Sequence, residues 1–103
     1  MTNNKPSSWL NMLGLASRAR KLVTGEELVI KAIQKQKVHL VIVSEDASIN
    51  TKKKVSDKCT FYNIPYIIKG DRGTLGRAIG KDERVIIGIE DKGFSNKISS
   101  IIE

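Results

Sequence analysis

Apolar positions along the chain alternate between a helical period and short continuous runs. Trp9, Leu10, Met12, Leu13, Ala16 and Ala19 recur near helical spacing, which predicts a first helix capped by Ser7 or Ser8 just after Pro6. Gly14 interrupts that helix at a cost of roughly 1 kcal/mol relative to alanine. A close approach by another backbone or by a ligand would justify it. Leu22-Val23-Thr24 predicts a short strand. Leu28, Val29, Ala32 and Ile33 predict a second helix with these residues facing the core, Thr24 or Gly25 as its cap, and Lys31, Lys35 and Lys37 outside. The run Val38–Val43 reads as a central strand buried on both faces. Ile49 to Tyr62 predicts a third helix, capped by Ser48 or Asn50, with a sparse stripe of Val55, Cys59 and Tyr62. After the turn Asn63-Ile64-Pro65 come a strand, Tyr66-Ile67-Ile68, and a short helix, LGRAIG, capped by Asp71 or Thr74 and stopping at Gly80. RVIIGI, residues 84–89, predicts the last strand, and Phe94–Ile102 a closing helix. Strict alternation of helix and strand predicts an α/β fold, a three-layer α/β/α sandwich around a four-stranded mixed sheet. The expectation is one domain over residues 1–103, with residues 1–6 and Glu103 loose.

Composition narrows the core chemistry. Phe, Tyr and Trp together make up 5% of the chain, so Ile, Val and Leu must fill the interior. The single Cys59 cannot form an intrachain disulfide and reads as a small core residue in a reducing compartment. No apolar run approaches the roughly 18 residues of a membrane span. The stretch MTNNKPSSW lacks the apolar segment of a signal peptide. A soluble, cytoplasmic protein with no membrane partner is expected.

Charge adds more. The net charge is +7, and it is uneven. Residues 1–54 carry 10 Lys/Arg and 4 Asp/Glu, whereas residues 55–103 carry 8 and 7. A basic half on a small domain favours nucleic acid, with an acidic protein or a membrane surface as lesser options. The plain alternative is a basic surface that only keeps the chain soluble.

Catalysis finds no constellation. The one histidine, His39, lies in a predicted buried strand, with no ligand partners at metal-binding spacing. There is no Gly-x-Gly-x-x-Gly and no Walker loop. The carboxylate pairs Glu26/Glu27, Glu45/Asp46, Asp82/Glu83 and Glu90/Asp91 are sequence neighbours, an arrangement that makes no obvious acid/base pair. No enzyme, cofactor or metal is expected. Binding remains, centred on Leu13–Ile33, where a basic helix end leads through a short strand and Gly25 into a new helix. Three segments, 18–27, 44–48 and 69–73, are expected to converge at one end of the sandwich. They would offer Arg18, Arg20, Lys21, Lys31, Lys69 and Arg72 to phosphates, and backbone N–H groups at Gly25 to Glu27. Glu26 and Glu27 either stabilise the helix N-terminus or accept hydrogen bonds from base amino groups while Lys31 donates to guanine. Base edges are reachable only in a distorted or looped RNA. The run Lys52-Lys53-Lys54 opposes the dipole of the third helix, so it is either a solvated face or has a compensating partner.

Four blocks carry a resemblance: LGLASRARKLVTGEELVIKAI (13–33), HLVIVSEDAS (39–48), NIPYIIKG (63–70) and LGRAIG (75–80). In this order and spacing the chain resembles the kink-turn-binding ribosomal proteins, the archaeal large-subunit seven-Ae and eukaryotic thirty-e proteins and their bacterial relatives. The resemblance implies a non-catalytic sandwich that grips a sharply bent internal loop of structured RNA, ribosomal or otherwise kink-turn-like, with the ribosome as one setting. A monomer is expected. The family's second helix enters the widened major groove at sheared G·A pairs with a pattern of Gly, Asn two residues on, Glu three on and Lys six on. Gly25 and Lys31 match it; Glu27 stands in place of Asn and Leu28 in place of Glu. Glutamate for asparagine replaces a donor and acceptor with an acceptor alone. By the same analogy Glu45, Asp46 and Ala47 lie near the bound bases, and Ile68, Lys69, Gly70, Asp71 and Arg72 pack on bulged nucleotides. The alternative is an accessory module for protein partners in the translation or transcription machinery; a remoter one is the substrate-binding fragment of an RNA-modifying enzyme.

Overall fold

The structure is a computed structural model that describes residues 8–102, so the Pro6 and Ser7 expectations lie outside the described residues. The elements are α1 (Ser8–Arg18), β1 (Leu22–Thr24), α2 (Glu26–Gln34), β2 (Leu40–Val43), α3 (Ile49–Phe61), β3 (Tyr66–Ile68), α4 (Arg72–Ala78), β4 (Ile86–Ile89) and α5 (Lys92–Ile102). The sheet order is β1-β4-β2-β3. β4 is antiparallel to both β1 and β2, and β3 runs parallel to β2. The sheet is therefore mixed and four-stranded, and the last strand of the sequence lies in its interior.

Each inner strand buries all four residues, so each must be covered on both faces. One core packs Val29, Ala32 and Ile33 of α2 and Val55 and Cys59 of α3 against Val41, Val43 and Ile86. The other packs Trp9 and Leu13 of α1, Leu75 of α4 and Ile98 of α5 against Leu40, Ile42, Ile87 and Ile89. Alternate residues of one strand feed opposite cores, which is the period-two rule at work. Helices cover both faces, and the fold is a three-layer α/β/α sandwich. Burial pushes the Cys59 thiol up to about 11. It stays protonated at neutral pH and acts as a small apolar residue.

Two apolar expectations fail. Leu28 is 58% exposed. The stripe at i, i+3 and i+4 formed by Val29, Ala32 and Ile33 already seats α2 on the sheet, and Leu28 falls outside it. Ala19 is exposed because α1 ends one residue earlier. Some boundaries also move. Val38 is buried but precedes the ladder, although the His39 N–H donates to the Ile89 carbonyl at 2.8 Å. Arg84 and Val85 precede β4, and α4 and α5 begin earlier than expected, at Arg72 and Lys92.

Glycine explains two close approaches. A Cβ on Gly14 would lie 2.8 Å from the Ala78 carbonyl oxygen, so α1 and α4 meet through bare backbone. A Cβ on Gly76 would collide with the backbone of Asp82.

Four helices stop in the same way. After α1, Lys21 N–H bonds to Ala16 O and Arg20 N–H to Ser17 O, with Arg20 at φ 60°. The pattern recurs with Gln36 (φ 56°), Asn63 (φ 59°) and Gly80 (φ 71°) as the left-handed residue. These are paired carbonyl-satisfying stops, usually built around glycine.

Candidate nucleic-acid interface

Strand directions decide which segments can meet. β1, β2 and β3 all run the same way, and β4 runs against them. The segments following β1, β2 and β3, and the one preceding β4, therefore share one end of the sheet. Gly25, residues 44–47, 69–72 and 84–86 gather there.

Backbone and carboxylate bonds lock these segments together. Glu45 N–H donates to Gly70 O at 2.6 Å, and Gly70 N–H returns a bond to the Glu45 carboxylate at 3.1 Å. Asp46 Oδ1 accepts from Arg72 N–H at 3.1 Å, Arg72 Nη2 donates to Asp46 O at 2.6 Å, and the Arg72 guanidinium pairs with the Asp46 carboxylate at 3.3 Å. Arg84 N–H reaches Arg72 O at 3.0 Å, and Ser44 N–H reaches Val85 O at 2.8 Å. A surface tied by backbone at this many points presents fixed groups, which is what recognition of a shaped ligand requires.

α2 begins at the rim of this surface. Gly25 is its N-cap at φ 95°, and it supplies no side-chain acceptor. The first-turn N–H groups have no intrahelical partner either, so they remain available to an external acceptor. Glu26 is held from the side: its carboxylate accepts from Thr51 Oγ1 at 2.9 Å and pairs with Lys54 Nζ at 3.0 Å. This is the partner that offsets part of the basic run at the start of α3, and it ties α2 to α3. Glu27 and Lys31, one turn apart, are exposed on the outer face of α2, and the exposed Leu28 lies beside them.

Lys54 and Thr51, bonded to Glu26, hold its carboxyl below the usual carboxylate range. The Thr74 N–H and hydroxyl do the same for Asp71, the α4 cap. A carboxylate whose folded pKa is depressed adds stability that is fully present above its unfolded pKa. That stability is lost as pH falls through the folded value. Wild type should therefore lose more urea resistance than Glu26→Gln between about pH 6 and pH 3. Parallel curves of midpoint against pH for the two proteins would remove the Glu26 bonds from the account.

The structure does not bring every expected residue to this end. Lys21 O accepts from Glu90 N–H, and Leu22 aligns with Ile89 and Leu40, at the opposite end of the sheet. Arg20 and Lys21 thus lie at the start of β1, a strand's length from Gly25, and both serve the stop of α1. Arg18 lines a shallow groove between α1 and α4 with Asn11, Gly14, Thr74 and Arg77. Only the C-terminal part of the 18–27 junction joins the other loops. Ala47 packs into the α2/α3 core, whereas Ile68 is 44% exposed beside Lys69. Sequence reasoning missed one wall: a cleft next to Gly25 is lined by Thr24, Glu26, Thr51, Glu83, Arg84 and Ile86. Arg84 reads from the sequence as the first residue of the last strand, whereas it precedes β4, and its place in the cleft depends on β4 running against its neighbours.

Among the described residues no cluster of His, Cys, Asp or Glu could hold a metal ion, and no helix is long and apolar enough to cross a membrane. What the arrangement can do is hold a polyanion: fixed N–H donors, cations at the rim and a few exposed apolar side chains for bases.

A mixed four-stranded sheet in this order, with helices on both faces, is an α/β fold with one end tied across its loops. Residues 7–99 match the Ribosomal protein L7Ae/L30e/S12e/Gadd45 family, and the chain belongs to it. Two curated relatives share a name, RNA-binding protein YlxQ. The one from Bacillus subtilis is 52% identical over 95 residues, spanning 92% of this chain and 95% of that protein. The one from Enterococcus faecium is 46% identical over 94 residues, spanning 91% and 90%. A solved structure from Bacillus halodurans, described as a protein with unknown function, is 58% identical with a TM-score of 0.92, covering 93% of this chain and 97% of that one. The 15.5 kD RNA binding protein of Giardia lamblia is 23% identical with a TM-score of 0.80, covering 90% and 80%, a likeness of fold.

Proposed function

We propose that the chain is a non-catalytic, cytoplasmic RNA-binding protein. It acts as one domain and as a monomer, and grips a bent or looped element of structured RNA, ribosomal or kink-turn-like. The single observation that carries this reading is the locked end of the sheet, where the open N-terminus of α2 stands beside loops 44–47, 69–72 and 84–86. The names of the two curated relatives support RNA as the ligand. Phosphates meet the first-turn N–H groups and Lys69, Arg72 and Arg84. Lys31 donates to a base edge, and Glu27, an acceptor only, takes a base amino group. Ile68 packs on an extruded base.

The test is a comparison of RNA shapes. At about 150 mM salt the protein should prefer a duplex with a bent purine-rich internal loop over a straight duplex of equal length by about tenfold or more, because simple phosphate attraction fades there. Equal affinity for the two would leave only non-specific charge.

A further inference from the structure

The outer face of α3 carries a feature that the bent-RNA reading leaves unused. Phe61, the last residue of α3, is 77% exposed. Its ring stands edge-on to Tyr62, with centroids 4.9 Å apart and planes at 79°. Tyr62 is half-buried against the α2/α3 core and fixes one side of the pair. The two rings, with Lys54, Asp57 and Lys58, line a cleft along the helix. Asp57 is already paired with Lys53 at 3.3 Å, so it does not neutralise Lys58. Among the described residues Lys58 has no ion-pair partner.

A large exposed ring with an unpaired cation one turn away matches the needs of a nucleotide. The ring offers a stacking face and the ammonium a phosphate partner, and neither demands a particular base. The charge excludes a basic partner. The face is also continuous with the candidate interface: Lys54, which lines this cleft, is the residue that pairs with Glu26 in the first turn of α2. From Lys54 to Phe61 the path along the helix is roughly 10 Å.

We infer that this α3 cleft takes a single-stranded stretch of RNA flanking the bent element, with a base stacked on Phe61 and a phosphate on Lys58. The inference rests on the RNA-binding reading above and extends the RNA track from the N-terminus of α2 along α3.

The experiment compares one bent internal-loop RNA with blunt stems and the same RNA carrying a short uridine overhang on each strand end in turn. In the wild type at least one overhang should raise affinity roughly fivefold or more. Phe61→Ala and Lys58→Ala should bind the blunt RNA like wild type and lose that gain. Phe61→Trp should keep it, and Phe61→Leu should not, which separates stacking from mere apolar contact. The inference is overturned if no overhang adds affinity, or if Phe61→Ala retains the gain; an acidic protein partner would then be the remaining occupant for the face. Failure of the wild type to bind even the blunt RNA would overturn the broader function instead. The cleft is then judged alone, by quenching of the Phe61→Trp indole fluorescence by an oligouridine at low salt, and absence of quenching overturns it.

Discussion

Gly76→Ala should destabilise the protein by about 3 kcal/mol, lowering the thermal midpoint by roughly 15 °C. Two effects oppose each other at this position. Alanine is the better helix former, and in α4 it would gain roughly 1 kcal/mol over glycine. The added Cβ, however, lands on the backbone carbonyl of Asp82, with the Glu83 Cα close behind. Backbone cannot rotate away as a side-chain tip can, so α4 must move off the 82–83 segment or bend. The site is buried, and the Lys81 N–H and Ile79 N–H both bond to Gly76 O, which leaves little freedom to shift. Overpacking therefore outweighs propensity. Gly14→Ala makes a milder control, because its Cβ would meet a single carbonyl oxygen at 2.8 Å. Urea titrations of the three proteins decide the matter. A wild-type midpoint for Gly76→Ala would mean that α4 does not sit against residues 82–83 as described.

The second large effect concerns binding. Lys31→Ala should weaken affinity for a bent RNA by about 1–3 kcal/mol, roughly 5- to 150-fold, if its ammonium reads a base edge. Lys21→Ala should change affinity by less than about twofold and leave the salt slope intact, since only a contacted phosphate releases counterions. The contrast comes from placement. Both are basic residues of the same sequence block, but Lys31 is exposed on the helix that starts at Gly25, whereas Lys21 sits at the far end of β1. Filter binding over a range of salt separates them. A larger loss from Lys21 than from Lys31 would move the interface to the other end of the sheet.

That contrast marks where sequence reasoning reached and where it stopped. The nine elements and the sandwich were legible because their signals are local. Ser48 and Asp71 cap α3 and α4 as side-chain acceptors, and the all-apolar run of β2 announces burial on both faces. Gly80 was legible as a helix stop because glycine favours a left-handed conformation. Arg20 and Gln36 fill the same role without that preference, so nothing in their type announced it. The grouping of Arg20 and Lys21 with Gly25 failed for a different reason. Sequence proximity suggested one cluster, but a strand of three residues separates the two ends of the junction. The Arg84 wall of the cleft was out of reach because it depends on strand order, a long-range property. Glu26 shows a third kind of limit: its carboxylate was legible as helix-terminal charge, whereas its bridge to Thr51 and Lys54 depends on how α2 and α3 pack.

The interior position of β4 sets an order on folding. β1 pairs with β4 and, among the described strands, with no other, so the first strand made waits for the last. The β2–β3 pair with α3 is local and can form early, but each half-sheet keeps an open edge until residues 86–89 arrive between them. Distant pairings of this kind are slow to form and leave unpaired edges exposed meanwhile. The cleft beside Gly25 has Arg84 and Ile86 as one wall. A nascent chain that has already exposed its basic N-terminal half therefore still lacks a finished cleft. The cleft is completed in one step, when residues 84–89 take their place beside β1 and β2.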